Sequence, residues 1–152
     1  MEVFEGAHGG ENVLDLSRLN LNNLNFDNLS DKRREETKQL YLCYNRLTVL
    51  SESVSLFMNL EFLDISCNGL AAICDDITSL TKLRTLIAKN NRLDEFSLPK
   101  EFGSLQLEVL NFSGNRFEEM PPQFFQLQRL QSLSLGGNRL KSIPPEIEHL
   151  TR

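Results

Sequence analysis

The sequence predicts an α/β solenoid: a right-handed superhelix of short coils, with a parallel sheet on the concave side and short helical turns on the convex side. Three observations carry that expectation. A pattern of the form L-x-L-x-x-N-x-L, with other apolar residues at some leucine positions, occurs five times: "LYLCYNRLTVL", "LDISCNGLAAI", "LIAKNNRLDEF", "LNFSGNRFEEM" and "LSLGGNRLKSI". The asparagines, Asn45, Asn68, Asn91, Asn115 and Asn138, follow one another at steps of 23, 23, 24 and 23 residues. Between copies, as in "ICDDITSL", "MPPQFFQL" and "IPPEIEHL", apolar residues recur at the spacing of a short helical turn.

Residues 1–36 are expected to form an N-terminal cap. The stretch "VLDLSRLNLNNL" at 13–24 keeps the leucine spacing but has Leu19 where the asparagine should stand, which makes it a degenerate first repeat. The charged segment "DNLSDKRREETKQ" follows, with Ser30 placed to cap a helix. Its basic run could be an import or nucleic-acid patch, but acids flank it on both sides, so a solvated helix face is expected.

Residues 37–152 hold the five regular repeats. A coil this thin has no core of its own, so leucines of successive coils must stack inward into one shared core. Alternation along each x-L-x-L strand then turns the x residues to the concave face. The asparagine amide has two donors and an acceptor, enough to satisfy the buried backbone of its own turn and of the next repeat. The 24-residue step is traced to the third repeat, which gains "SL" after Phe96 and loses one residue between Leu105 and Leu107, a change expected on the convex side. The last quoted repeat is followed by no polar capping motif. The array is therefore expected to continue past Arg152, or to be covered there by a second copy.

These motifs resemble the leucine-rich repeat family, over about residues 37–150 and more weakly before them. The resemblance implies a protein-binding scaffold of the intracellular class. It states a fold, not an activity.

Composition narrows the function. Charged residues make up 24% and the formal net charge is −5, which argues against coating nucleic acid. "MEVFEGAHGGENVLDL" lacks the basic and apolar regions of a secretory signal, and no apolar run approaches a membrane span. Three cysteines, Cys43, Cys67 and Cys74, form no disulfide framework, so a reducing, cytoplasmic setting is expected, and the sequons at Asn28 and Asn111 are read as chance matches.

Chemistry has little support. His8 and His149 have no nucleophile and acid around them in the repeat register, and Gly136-Gly137 is not directly followed by the Lys-Ser/Thr of a phosphate loop. Cys43 and Cys67 sit at neighbouring positions of adjacent repeats, but two thiols without further ligands make a poor zinc site. No enzyme activity, cofactor, metal, nucleic acid, membrane or small-molecule substrate is expected.

What remains is the strand face. Its outward rows read Val13, Gln39, Phe62, Thr85, Val109, Ser132 and Asp15, Tyr41, Asp64, Ile87, Asn111, Ser134, with Tyr44, Lys89 and Asn90 at the border. The partner-binding set is therefore Gln39, Tyr41, Tyr44, Phe62, Asp64, Arg84, Ile87, Lys89 and Asn111, aromatics ringed by charge as in interface hot spots. A second column, Arg46, Gly69, Arg92, Arg116 and Arg139, follows the asparagines. It is either a docking strip for an acidic partner or is neutralised by Asp94, Glu95, Glu118 and Glu119 nearby, and the second reading is preferred. The expected function is a non-catalytic scaffold or adaptor that binds a protein. The alternative is a regulatory or substrate-recognition part of a larger enzyme or ubiquitin-ligase complex.

Overall fold

Strand segments of three residues recur wherever the x-L-x motif stands, because only the middle leucine needs burial and one hydrogen-bonded rung on each side suffices to hold it. The computed structural model describes residues 10–145. The strands are β1 (Val13–Asp15), β2 (Gln39–Tyr41), β4 (Phe62–Asp64), β6 (Thr85–Ile87), β7 (Val109–Asn111) and β8 (Ser132–Ser134). They form one parallel sheet in the order β1-β2-β4-β6-β7-β8. The register is continuous: Leu14, Leu40, Leu63, Leu86, Leu110 and Leu133 pair in one row, and the two outward rows align residue for residue as the alternation requires. Two short strands, β3 (Val49–Leu50) and β5 (Ala72–Ile73), pair in parallel as a second sheet.

The coils that start with β2, β4, β6 and β7 return through short 310 helices, at Glu52–Leu56, Asp75–Ser79, Phe102–Ser104 and Pro122–Gln126. Three residues per turn suits the apolar spacing there, and each longer turn buries one side chain, Val54, Ile77 or Phe124. Pro122 starts its turn with a preset φ and no orphaned N–H.

The asparagines are the connecting elements. Asn91 is 7% exposed. Its amide donates to the carbonyls of Ile65, Ala88 and Lys89 and its oxygen accepts from the N–H groups of Asn68 and Leu70. Asn45, Asn68, Asn115 and Asn138 repeat the arrangement. The coil they reach is the preceding one, not the next. The chain turns off the strand toward the open side of the coil before it, whose N–H and C=O groups are the ones left unpaired.

The N-terminal coil is a true rung despite Leu19. Asn45 makes with it the bonds that each ladder asparagine makes with the coil before it, accepting from the Leu19 and Leu21 N–H groups and donating to the Leu16 carbonyl. The helix α1 (Asp31–Glu36) follows, with the Ser30 hydroxyl accepting from the Arg33 N–H. Its basic residues are not merely a solvated face. Arg33 donates to the carbonyls of Gly10, Glu11 and Val13, and Arg34 to that of Phe26. The five donors of a guanidinium thus tie the leader and the edge of β1 to the helix.

The third repeat departs from the expected alignment at its insertion. Phe96, aligned with buried Leu50, Ile73 and Met120, is 87% exposed, and Leu98 takes the core position at 8%. The extra residues bulge out before the core position, not after it. Asp94 closes the bulge by accepting from Phe96 N–H and the Ser97 hydroxyl, while Ser97 lends its own carbonyl to the Ile73 N–H, where the β3–β5 sheet ends. Beyond the bulge the core turns from leucine to phenylalanine. Phe102, Phe112, Phe117 and Phe124 pack with ring centroids 5.5–6.3 Å apart. Small Ala88 sits beside Phe112 in the same column, so the volumes compensate.

Replacing Asn91 by Ala should lower stability by about 3 kcal/mol, because several buried backbone groups lose partners at once. Replacing exposed Asn90, whose φ is +56°, by Gly should change it by less than about 0.5 kcal/mol. Urea denaturation of both variants checks this; equal losses would contradict the ladder.

Candidate functional site

The concave face assembles as two rows fixed by the strand register. In the outer N-terminal row Phe62 lies between Gln39 and Thr85, and in the next Tyr41 lies between Asp15 and Asp64. Tyr41 and Phe62 meet diagonally across β2 and β4, ring centroids 5.2 Å apart and planes tilted by 40°. The Tyr41 hydroxyl donates to Gln39 Oε1 at 3.2 Å. Phe62 and Ile87 are half-buried, and with Tyr41 they form an apolar strip on three consecutive rungs.

The polar members have different surroundings. Asp64 Oδ1 accepts the Ser66 N–H at 2.9 Å, and Asn111 Oδ1 the Ser113 N–H at 3.0 Å, closing the turn at each strand end as Asp15 does for Ser17. One acceptor of each is therefore structural. Arg84 folds its guanidinium onto the carbonyls of Thr81 and Leu83, at the strand's N-terminal margin. Lys89 is exposed.

Tyr44 belongs to a column that repeat spacing alone did not show. The residue before each ladder asparagine has positive φ: Tyr44 (58°), Cys67 (56°), Asn90 (56°), Gly114 (72°) and Gly137 (69°), with Arg18 (60°) in the degenerate coil. Left-handed backbone at a tyrosine or an arginine costs on the order of 1 kcal/mol, and it is imposed by the ladder turn. It swings these side chains out along one margin of the concave face. Tyr44 is 50% exposed, with the Arg18 guanidinium carbon 4.0 Å from its ring centroid. Hydrogen bonding to the Cys67 side chain raises the Tyr44 phenol above its ordinary range, while Arg18 acts in the opposite sense. Arg18 is absent from the set expected from sequence; its signal was the position before Leu19, once Leu19 is put in register with the asparagines.

The cysteines separate. Cys67 shares Tyr44's column, whereas Cys43 occupies the column of Ser17 and Ser66, with its thiol 3.3 Å from the Ser17 hydroxyl. They are not equivalent positions of adjacent coils, because Cys43 stands two residues before its asparagine and Cys67 one. Cys74 caps the Asp75–Ser79 turn, where other repeats have proline. Among the described residues there is no group of three or more His, Cys, Asp or Glu that could hold a metal, and no helix is long and apolar enough to cross a membrane. His8 and His149 lie outside the described residues.

Among the described residues, none of the acids expected to neutralise the arginine column forms an ion pair with it. Asp94 closes the bulge, Glu95 Oε2 accepts the Glu118 N–H, and Glu118 pairs with Lys141 at 3.3 Å.

A family model described as leucine rich repeat matches residues 105–152. The chain is a leucine-rich repeat protein, a class whose curved sheet offers an extended concave surface for binding. It resembles leucine-rich repeat-containing protein 58 of vertebrates: it is 62% identical to that of Xenopus tropicalis over 119 residues, covering 78% of this chain and 34% of that protein. To the mouse protein it is 43% identical over 137 residues, 82% of this chain and 37% of that one. The chain thus spans about a third of the length of the curated relatives it matches. Among solved structures, a leucine-rich repeat protein of Leptospira interrogans superposes with a TM-score of 0.70 at 31% identity, over 80% of this chain and 31% of that chain. An internalin of Listeria monocytogenes, at 18% identity and a TM-score of 0.64, shares the fold, over 79% of this chain and 34% of its own.

Two outcomes follow. Leu63→Ala, at a fully buried rung, should cost about 3 kcal/mol. The double change of Tyr41 and Phe62 to Ala should cost about 1 kcal/mol, since it removes only a surface ring pair; melting curves by circular dichroism compare them. Burial raises the thiols of Cys43 and Cys74 above the ordinary value. Iodoacetamide should therefore label both slowly at neutral pH, and faster as alkali forms the thiolate, as peptide mass mapping would show.

Proposed function

We propose that the chain is a non-catalytic protein-interaction module, a cytoplasmic scaffold or adaptor, that holds a protein partner on its concave face. The observation that supports this most is the Tyr41–Phe62 pair on the open sheet, continued by Ile87 and bordered by Tyr44 under Arg18. Large rigid rings give much contact area for little lost rotamer entropy, and charge around them sets orientation. The last rung, with Ser132 and Ser134, offers no such anchor, so binding is centred on β2, β4 and β6. Gln39, Asp64, Lys89 and Asn111 supply the polar surround, and Arg84 enters only if its guanidinium leaves the Thr81 and Leu83 carbonyls.

A second reading has its own support. An adenylate cyclase of Schizosaccharomyces pombe is 32% identical over 112 residues, covering 73% of this chain but 6% of that protein. Repeats of this kind therefore occur within a much larger enzyme. On that reading the present array is the regulatory or substrate-recognition part of an assembly, such as a ubiquitin ligase, whose catalytic parts lie elsewhere.

Affinity purification of the full-length protein, with partners quantified by mass spectrometry, tests both. Changing Tyr41 and Phe62 to Ala together should lower recovery of the main partner by the equivalent of at least about 2 kcal/mol. Unchanged recovery would remove the concave assignment, and a catalytic subunit among the partners would favour the second reading.

A further inference from the structure

The column following the ladder asparagines carries Arg46, Gly69, Arg92, Arg116 and Arg139, and all four arginines are exposed. Each residue of the column donates its N–H to the preceding coil in the same way: Arg46 to Leu21, Gly69 to Leu47, Arg92 to Leu70, Arg116 to Leu93 and Arg139 to Phe117, at 2.8–2.9 Å. Successive members are thereby held one coil apart, about 5 Å. Among the described residues no carboxylate forms an ion pair with Arg92, Arg116 or Arg139, and of the acids close to them in sequence Asp94, Glu95 and Glu118 are engaged by other groups. Three like charges in a row repel one another, the less so as the side chains spread into solvent. That cost is carried by a chain whose net charge is −5, so the ladder is a local positive strip on an acidic protein.

We propose that Arg92, Arg116 and Arg139 dock an extended acidic segment of a partner protein, running along the solenoid axis. Guanidinium forks pair with carboxylates in a fixed geometry, which lysines do not. In an extended peptide, side chains on one face recur about every 6.8 Å. The long, unconstrained arginine side chains can splay from their 5 Å spacing to meet them. A peptide fits better than nucleic acid. The acidic body of the chain repels a long polyanion, and the strip places no aromatic ring between its cations for bases to stack on. The strip is separate from the concave patch and stands whether or not that patch binds.

Gly69 supplies an internal test. It interrupts the column between Arg46 and Arg92, and a Cβ there would meet only Leu47 O, at 3.7 Å, an ordinary contact. Fluorescence anisotropy with a labelled peptide of alternating Glu and Ala, in low salt, reads the affinity. Changing Arg92, Arg116 and Arg139 together to Gln should weaken binding by about tenfold, three exposed pairs at roughly 0.5 kcal/mol each. Arg46→Gln should weaken it less than about twofold, and Gly69→Arg should strengthen it about twofold by joining the column. The double change of Tyr41 and Phe62 to Ala should leave it unaltered. Equal binding by the triple variant, loss on Arg46→Gln as large as the triple loss, no binding by the parent protein, or stronger binding of an oligothymidine of matched charge would each overturn the proposal.

Discussion

A backbone turn buried between two coils has polar groups that water cannot reach, and the solenoid exists because one side chain per repeat satisfies them. An asparagine amide at this position reaches its own turn with one set of bonds and the preceding coil with the other. Leucine stacking supplies most of the driving force, but stacking alone is indifferent to the angle at which the chain leaves the strand. The amide sets that angle. It also makes each coil depend on the coil after it for satisfaction, so cooperativity runs along the array in the nearest-neighbour manner expected of repeats.

The same turn organises the surfaces. The residue before the ladder asparagine is forced into left-handed backbone, and the residue after it donates its N–H to the preceding coil and, where it is an arginine, leaves its side chain in solvent. The aromatic strip of Tyr41, Phe62 and Ile87 therefore lies on the strands of the concave face and the cationic strip of Arg92, Arg116 and Arg139 beyond the turn, although they are interleaved in sequence. Their chemistries are complementary to different targets. The first suits a shaped apolar protuberance, the second a flexible anionic chain.

The strand register and the concave rows were legible in the sequence, because period two and a repeated asparagine leave no freedom to slip. The helix cap at Ser30 was legible for the same reason, a single hydroxyl before a charged turn. Other features were not. The direction of the asparagine bonds depends on which side of each coil is open, a three-dimensional property. Phe96 and Leu98 are both apolar, and only the Asp94–Ser97 hydrogen bonds decide which of them turns inward. The tie of Arg33 to the leader spans over 20 residues of sequence, and nothing local signals it. Cys43 and Cys67 stand at neighbouring positions of adjacent repeats in the sequence, yet in a strand-to-turn transition a one-residue offset moves a side chain to another column.

The left-handed column has a consequence for how such a protein can diversify. Arg18, Tyr44, Cys67, Asn90, Gly114 and Gly137 differ widely in size and polarity, yet all adopt nearly the same backbone. The conformation comes from the turn and not from the residue. An exchange at Arg18, Tyr44, Cys67 or Asn90 leaves the coil's path unaltered and shifts stability by only about 1 kcal/mol, whereas a Cβ at Gly114 would press on the Asn90 side chain. Few positions on a packed solenoid are so decoupled from the core. The margin of the concave face is therefore the part of the molecule where new specificity can be acquired by single substitutions, rung by rung, while the scaffold beneath it stays the same.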